Sequence, residues 1–461
     1  MRALGAQLRC SMVVAILVTP AASLAQGPET GVVTIDEVVA RALADNPDLR
    51  AARAEVDAAT GRLRQAGLRP NPMLELGGQK AIGPDNNLTV GVTLPLDLNG
   101  RVDGRVGVAT REVDMRRALV AERERRLSTD VRLKGGELLA ARRNAEVTDE
   151  LLRINREAQR LVGDRVREGA APALEESLLL VEVNRLEASR QMLESRVTVL
   201  TLQLKALAGM EPDAPLTLRG ELTGEKGGPT LPPKPPALGS APGDPGHSSI
   251  LRQVPTRADA VAQALARRPD LEVARSDAAM ARARIRKEEA DGRWDASVSV
   301  GYQRQDFGFS GLRGVASNGT LQQIQDVFHY FGAGVTIALP VRNRNQGNVA
   351  AAMAETRAAE RRQEFIVLVV RQEVEAAFTQ LEAARRALAI YERGVRDVAR
   401  RNLDVVRRTW ELGRGTLLDV ITEQRRLIEV ENGYTDTLKH VYDATVEIER
   451  AVGVTATTSR G

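Results

Sequence analysis

The chain is poor in the residues from which most enzyme sites are built. Its single cysteine, Cys10, and three histidines, His247, His329 and His440, are spread over 461 residues. One thiol near the N-terminus excludes an internal disulfide and a thiolate metal site. Histidines so dispersed suggest neither a zinc cluster nor a catalytic triad. No phosphate-binding loop or dinucleotide fingerprint occurs. The sequence therefore nominates no catalytic, cofactor-binding or metal-binding residue, and energy for any transport must come from a partner. Aromatics make up 3% of the chain, too few for a bulky globular core, whereas the abundant Ala, Arg, Leu, Val and Glu suit long helices packed at close range. An excess of one charge is also lacking. Sixty-five basic against 61 acidic residues, formal net +4, describe a mixed, solvated surface with no case for nucleic acid. Beyond the N-terminus no run of about 18 apolar residues occurs, so entry into a membrane would have to use β-strands.

What is present begins with a secretory signal over residues 1–25. Arg2 and Arg9 supply the positive region, Ser11–Pro20 the short apolar stretch, and Ser23-Leu24-Ala25 a small-x-small cleavage site before Gln26. The mature chain is organised around two helix hairpins. Gly169 precedes Pro172 and Glu175, and Gly413 precedes Thr416 and Asp419 at the same spacing. Gly just past a helix end, with Pro or Thr opening the next helix, is stop-and-start chemistry.

In order, a helical pattern over 34–66 opens on a Thr34/Glu37 capping box and is interrupted at Asn46-Pro47-Asp48. The period then becomes two over Met73–Lys80 and Leu88–Leu96, a β-hairpin around Gly83–Asn86. A helix runs from about Gly100 to Arg167, on the order of 100 Å, with Gly135-Gly136 its one weak place, and Ala173–Gly209 runs back. Residues 211–253 are rich in Pro and Gly and read as a semi-extended linker. The first repeat, 26–210, then recurs as a second over 254–453, before a polar tail at 454–461. Pro47-Asp48-Leu49 returns as Pro269-Asp270-Leu271 and Ala52-Arg53 as Ala274-Arg275. Strands are expected at Ala296–Gln303 and His329–Val341, joined by an exposed loop over 304–327. A continuous helix follows over Asn345–Leu412, then the second hairpin and Thr416–Val452. In each half the two shorter helical patterns together match one long helix, predicting full-length columns stacked end to end.

On the strands, Leu88, Val90, Val92, Val298, Val300 and Tyr302 share one kind of face. Thr89, Gly91, Thr93, Ser297, Ser299, Gly334 and Thr336 share the other, and line a lumen if the apolar face meets lipid. Four strands cannot span a bilayer with open edges, and barrels need about eight or more, so the chain must form a closed oligomer. His329 and Tyr330 are placed at the membrane boundary, and Trp410 as a packing anchor beside the tip.

The chain resembles the TolC-like outer-membrane efflux proteins. The resemblance rests on the duplicated order, on Leu403-Asp404, Trp410-Glu411-Leu412-Gly413, Thr416 and Leu418-Asp419-Val420, and on the closing Glu447–Gly453. Arg69-Pro70-Asn71-Pro72 is similar to the heavy-metal (cobalt–zinc–cadmium type) branch. The resemblance implies a mainly α fold with a small β part: duplicated long hairpins forming a periplasmic α-barrel, and four strands per chain in a trimeric twelve-stranded transmembrane β-barrel. It implies a homotrimer set in outer-membrane lipid. A periplasmic adaptor and a proton- or ATP-driven inner-membrane pump would join it to form an efflux system for small toxic solutes. The tips Gly169, Ala170, Pro172, Gly413, Arg414, Gly415 and Thr416 would dock the adaptor. Asp404 matches an aperture aspartate, and Arg160, its counterpart in the first half, is positioned to pair with it across helices and lock the closed state. The alternative is a periplasmic coiled-coil scaffold or adaptor without a pore, which four alternating strands argue against.

Overall fold

The computed structural model describes residues 32–82, 85–222 and 256–453. The signal segment, Gly83 and Pro84, the centre of the linker with His247, and the tail lie outside the described residues. The first half holds β1 (Val32–Val33), α1 (Ile35–Asp45), α2 (Pro47–Ala66), β2 (Met73–Lys80), β3 (Asn86–Leu96), α3 (Arg101–Arg167), α4 (Ala173–Leu207) and β4 (Thr217–Leu218). The second holds α5 (Arg257–Arg267), α6 (Pro269–Asp291), β5 (Asp295–Val315), β6 (Leu321–Ala338), α7 (Gln346–Ile390), α8 (Arg396–Glu411) and α9 (Leu417–Val452).

Local chemistry sets the boundaries. Thr34 and Glu37 form the reciprocal capping box of α1, at 2.7 and 3.3 Å. Asn46 accepts from the Leu49 amide at 3.1 Å to start α2, and its Nδ2 donates to the Leu207 carbonyl at 3.0 Å to cap α4. The duplication extends to single hydrogen bonds: Arg53 donates to the Leu43 carbonyl at 3.1 Å, and Arg275 to the Leu265 carbonyl at 3.0 Å. Arg105 reaches the Ala66 carbonyl at the end of α2, and Arg101 the Ala290 and Asp291 carbonyls at the end of α6.

Four helical columns lie side by side. The α2/α4 column packs on α3, α3 packs on the α6/α9 column, and α7–α8 flanks that column on its far side. Gly209, just past α4, abuts Asp45 and Asn46; Gly453, just past α9, abuts Arg267 and Arg268. Only α2 with α4, and α6 with α9, therefore meet end to end, which corrects the expectation of full-length stacking. The breaks before Pro47 and Pro269 turn the short helices out of line. Val38, Val39 and Ala42 of α1 join Val131, Leu138 and Leu204 in the main core, and Ala260 and Ala264 of α5 join Val370 and Val374. Residues 217–222 of the expected linker are packed too: β4 pairs in parallel with β1, and Leu218 and Leu222 are buried.

Three other expectations are corrected. Gly135-Gly136 is no weak place, because α3 runs unbroken for 67 residues. A Cβ on Gly136 would lie 2.7 Å from the Tyr442 ring, and one on Gly135 3.0 Å from Ile35, so glycine permits close approach here. Residues 304–327 are not an open loop: β5 and β6 stay paired up to Val315 and Leu321, with a bulge between Gly308 and Arg313. The helix over 345–412 is not continuous. A π-helical turn, Tyr391–Val395, separates α7 from α8, with Gly394 in a non-helical conformation. A π-turn of this kind inserts one residue into an otherwise α-helical run.

Candidate functional site

The sheet has the order β2-β3-β5-β6, antiparallel throughout. Its register carries Met73, Thr93, Ser299 and Gly334 in one row, and Glu75, Gly91, Gly301 and Gly332 in the next. Pro95, Ser297 and Thr336 form a third row towards the helices, and Gly77, Thr89, Gln303 and Tyr330 a fourth towards the hairpin turns. Side chains alternate along a strand, so the seven small or hydroxyl residues nominated for the lumen share one face. Leu74, Val92 and Val300, with Leu76, Val90, Tyr302 and Phe331, occupy the opposite face. Among the described residues neither edge strand has a second neighbour, and β2 and β6 are exposed along their whole length.

At the far end of the helices the two tips have one backbone geometry. Gly169 and Gly413 sit at φ 74° and 73°. Gly169 donates to the Val166 carbonyl at 3.0 Å and Ala170 to Arg165 at 2.7 Å; Gly413 donates to Trp410 at 2.8 Å and Arg414 to Thr409 at 3.0 Å. These are paired Schellman motifs, which satisfy the last carbonyls of α3 and α8. The restarts differ. Pro172 offers no side-chain cap, whereas Thr416 and Asp419 form a capping box. Space opens around both glycines, so the positive φ alone requires them. Ala170, Pro172, Arg414, Gly415 and Thr416 are exposed. Beneath them Val162, Leu179, Leu417, Val420 and Ile421 make a small core, against which Trp410 packs.

Asp404 and Arg160 are both exposed, and neither side chain makes a hydrogen bond or ion pair with another described residue. The structure does not bring them together within one chain. Nearer the middle, the Tyr434 ring lies between Arg143, at 5.2 Å, and Arg396, at 4.0 Å. Arg396 and Arg400 also hold the buried Glu431.

Buried ion pairs, indistinguishable in sequence from solvated ones, tie the columns together. Glu182 on α4 is held by Arg185 at 2.6 Å and by Arg425 of α9 at 2.8 Å. Arg268 bridges Asp270 at 2.5 Å and Glu373 of α7 at 2.6 Å, and reaches the Ala451 carbonyl at 3.4 Å. Burial opposes ionisation of Glu182 and Asp270, but their arginines outweigh it and hold both carboxyls below the ordinary range. Among the described residues no group of three or more His, Cys, Asp or Glu is placed to hold a metal, and no helix is long and apolar enough to cross a membrane.

The family model for outer membrane efflux proteins matches residues 38–209 and 260–454, most of the chain and in two pieces. The chain belongs to the outer membrane efflux protein family. Membership places this efflux protein in the outer membrane with a large periplasmic part. One curated relative, the cobalt-zinc-cadmium resistance protein CzcC of Cupriavidus metallidurans, is 22% identical over 427 residues, covering 92% of this chain and 90% of the relative. Among solved structures, CusC superposes with a TM-score of 0.69 at 16% identity, over 94% of this chain and 95% of that one. The outer membrane protein VceC of Vibrio cholerae gives 0.67 at 18%, over 91% and 96%. A membrane protein from Pseudomonas aeruginosa gives 0.68 at 20%, over 91% and 93%. These likenesses fix the fold: long helices with a small strand part.

Proposed function

We propose that this efflux protein is the passive exit duct of a pump–adaptor–duct exporter, working as a homotrimer. One observation carries the reading. Sheet and helical layer are open at the same two edges, with β2 and the α2/α4 column at one and β6 and α7–α8 at the other. An open edge in hydrocarbon leaves backbone groups unpaired, and edges of different kinds join head to tail into a ring. Three copies close twelve strands around the Thr, Ser and Gly face and leave the apolar face to lipid. The exposed tips are then the adaptor's docking surface, and the pump supplies the energy. The CzcC likeness favours divalent metal cations as cargo. A scaffold without a pore has no use for an amphipathic sheet with two open edges.

Asp404 and Arg160 are the aperture pair in this reading, meeting across protomers in the closed state. Asp404→Ala is expected to raise single-channel conductance in planar bilayers and to increase leakage of detergent and antibiotic in cells. Unchanged conductance would remove Asp404 from the aperture. The duct itself is tested by native mass after detergent extraction from outer membranes: a trimer supports it, and a water-soluble monomer would overturn it.

A further inference from the structure

Followed away from the helices, the two sheet faces exchange character. On the face carrying Ser297, Ser299, Gly332 and Gly334, the register brings up Gln303 with Tyr330, Gln305 with Phe328, and then Phe307 with Asp326. Phe307 and Phe328 meet edge to face with centroids 5.8 Å apart, and Phe328 and Tyr330 stack at 6.4 Å. The opposite face, apolar up to Tyr302 and Phe331, turns polar at the same level. Arg304 pairs with Asp306 at 3.0 Å, and His329 Nδ1 lies 2.7 Å from the Tyr302 hydroxyl. No bulge intervenes below Gly308, so strand parity holds through the change. Above Asp306 no described residue of β3 pairs with β5, and the β5–β6 ribbon continues.

An isolated two-stranded ribbon is marginal in water, and half-exposed aromatics in a protein with few of them need a partner. Charge on the outer face at this level suits a headgroup layer, which the aromatic face then turns away from. We infer that Phe307, Phe328 and Tyr330 line the outer mouth of the lumen, so that three copies surround the axis with a hydrophobic exit constriction. The inference rests on the trimeric duct proposed above and assigns it a second narrowing, opposite the Asp404 end. An apolar belt of this kind raises the cost of passing hydrated ions, the proposed metal cargo included, by dewetting, so it narrows the exit without blocking it.

The test uses the full-length protein in planar bilayers. Phe328→Cys introduces a thiol into a chain whose only cysteine is Cys10, and Phe331→Cys puts one on the opposite face. A water-soluble cationic thiol reagent is expected to lower the conductance of Phe328→Cys and to leave Phe331→Cys and the parent unchanged. Replacing Phe307, Phe328 and Tyr330 together by Ser is expected to raise conductance at least about twofold by hydrating the belt. Channels that form normally but show neither effect would overturn the constriction and leave the duct intact. Failure of the parent protein to form any channel would overturn the duct, and the constriction with it.

Discussion

At the scale of single residues, the Arg–carboxylate pairs buried between columns are sensitive to the loss of one partner. Arg268 has about 1% of its side chain exposed and joins the α5–α6 break, α7 and the end of α9. Arg268→Ala leaves Asp270 without its guanidinium partner, while Glu373 keeps Arg450 at 3.5 Å, and removing one partner of a buried pair costs about 3–5 kcal/mol. The expected result is a clear fall in melting temperature of the detergent-solubilised protein, which Arg268→Lys recovers only in part because an ammonium cannot fork between two carboxylates. Glu182 and Asp270 add a pH dependence of known sign. Their folded pKa values lie below the unfolded ones. Their stabilisation is therefore complete above the ordinary carboxylate range and disappears as pH falls below about 4. Melting temperatures measured from pH 7 down to pH 3 should fall at the acid end, and Glu182→Gln should flatten that fall. An unaltered profile in the variant would show that Glu182 contributes nothing to it.

At the scale of elements, the π-helical turn is one difference between the halves, since its counterpart in α3 is plain helix. It sits where α7 crosses α9 at Gly433, and a Cβ added there would lie 2.5 Å from the Tyr391 hydroxyl and 3.3 Å from its Cζ. Gly433→Ala should destabilise by about 1–3 kcal/mol through overpacking. Adding Tyr391→Phe should recover part of this, because the worst contact is with the hydroxyl; equal melting temperatures for the single and double variants would argue against it. Elements whose signal is local were legible in sequence. Leu88–Leu96 alternates cleanly, and the tips announce themselves through Gly169 and Gly413. Residues 304–327 were not legible, because Gly308, Gly311 and Gly314 and the exchange of polar and apolar faces hide a continuing ribbon. Nor was the π-turn: Gly394 inside a helical pattern marks a weak helix position, not an inserted residue. Phe307 and Phe328 were missed as site residues for the same reason, although strand parity extended from Gly332 and Gly334 points to them.

At the scale of the whole molecule, the single chain is a slab cut at two unlike edges. Val181, Met192 and Leu202 of α4 are exposed, as are Phe365, Leu368 and Ile390 of α7. These side chains lie on the columns at opposite ends of the row, where no described residue covers them. Large apolar side chains left exposed on both outer columns suit an interface, and unlike surfaces can only mate head to tail. This gives a test that mass alone does not. Leu202→Asp disables one edge and Phe365→Asp the other, since an unpaired charge in an apolar interface is strongly unfavourable. Each variant alone should fail to form trimers. Mixed, they retain one intact α7 edge and one intact α4 edge between them, enough for a single contact and never for a ring. Native mass spectrometry of the mixture should therefore show heterodimers without trimers. Restored trimers would show that the edges do not mate in this way, and homodimers of either variant would point to a self-complementary interface in which a slab of unlike edges could not close as a barrel.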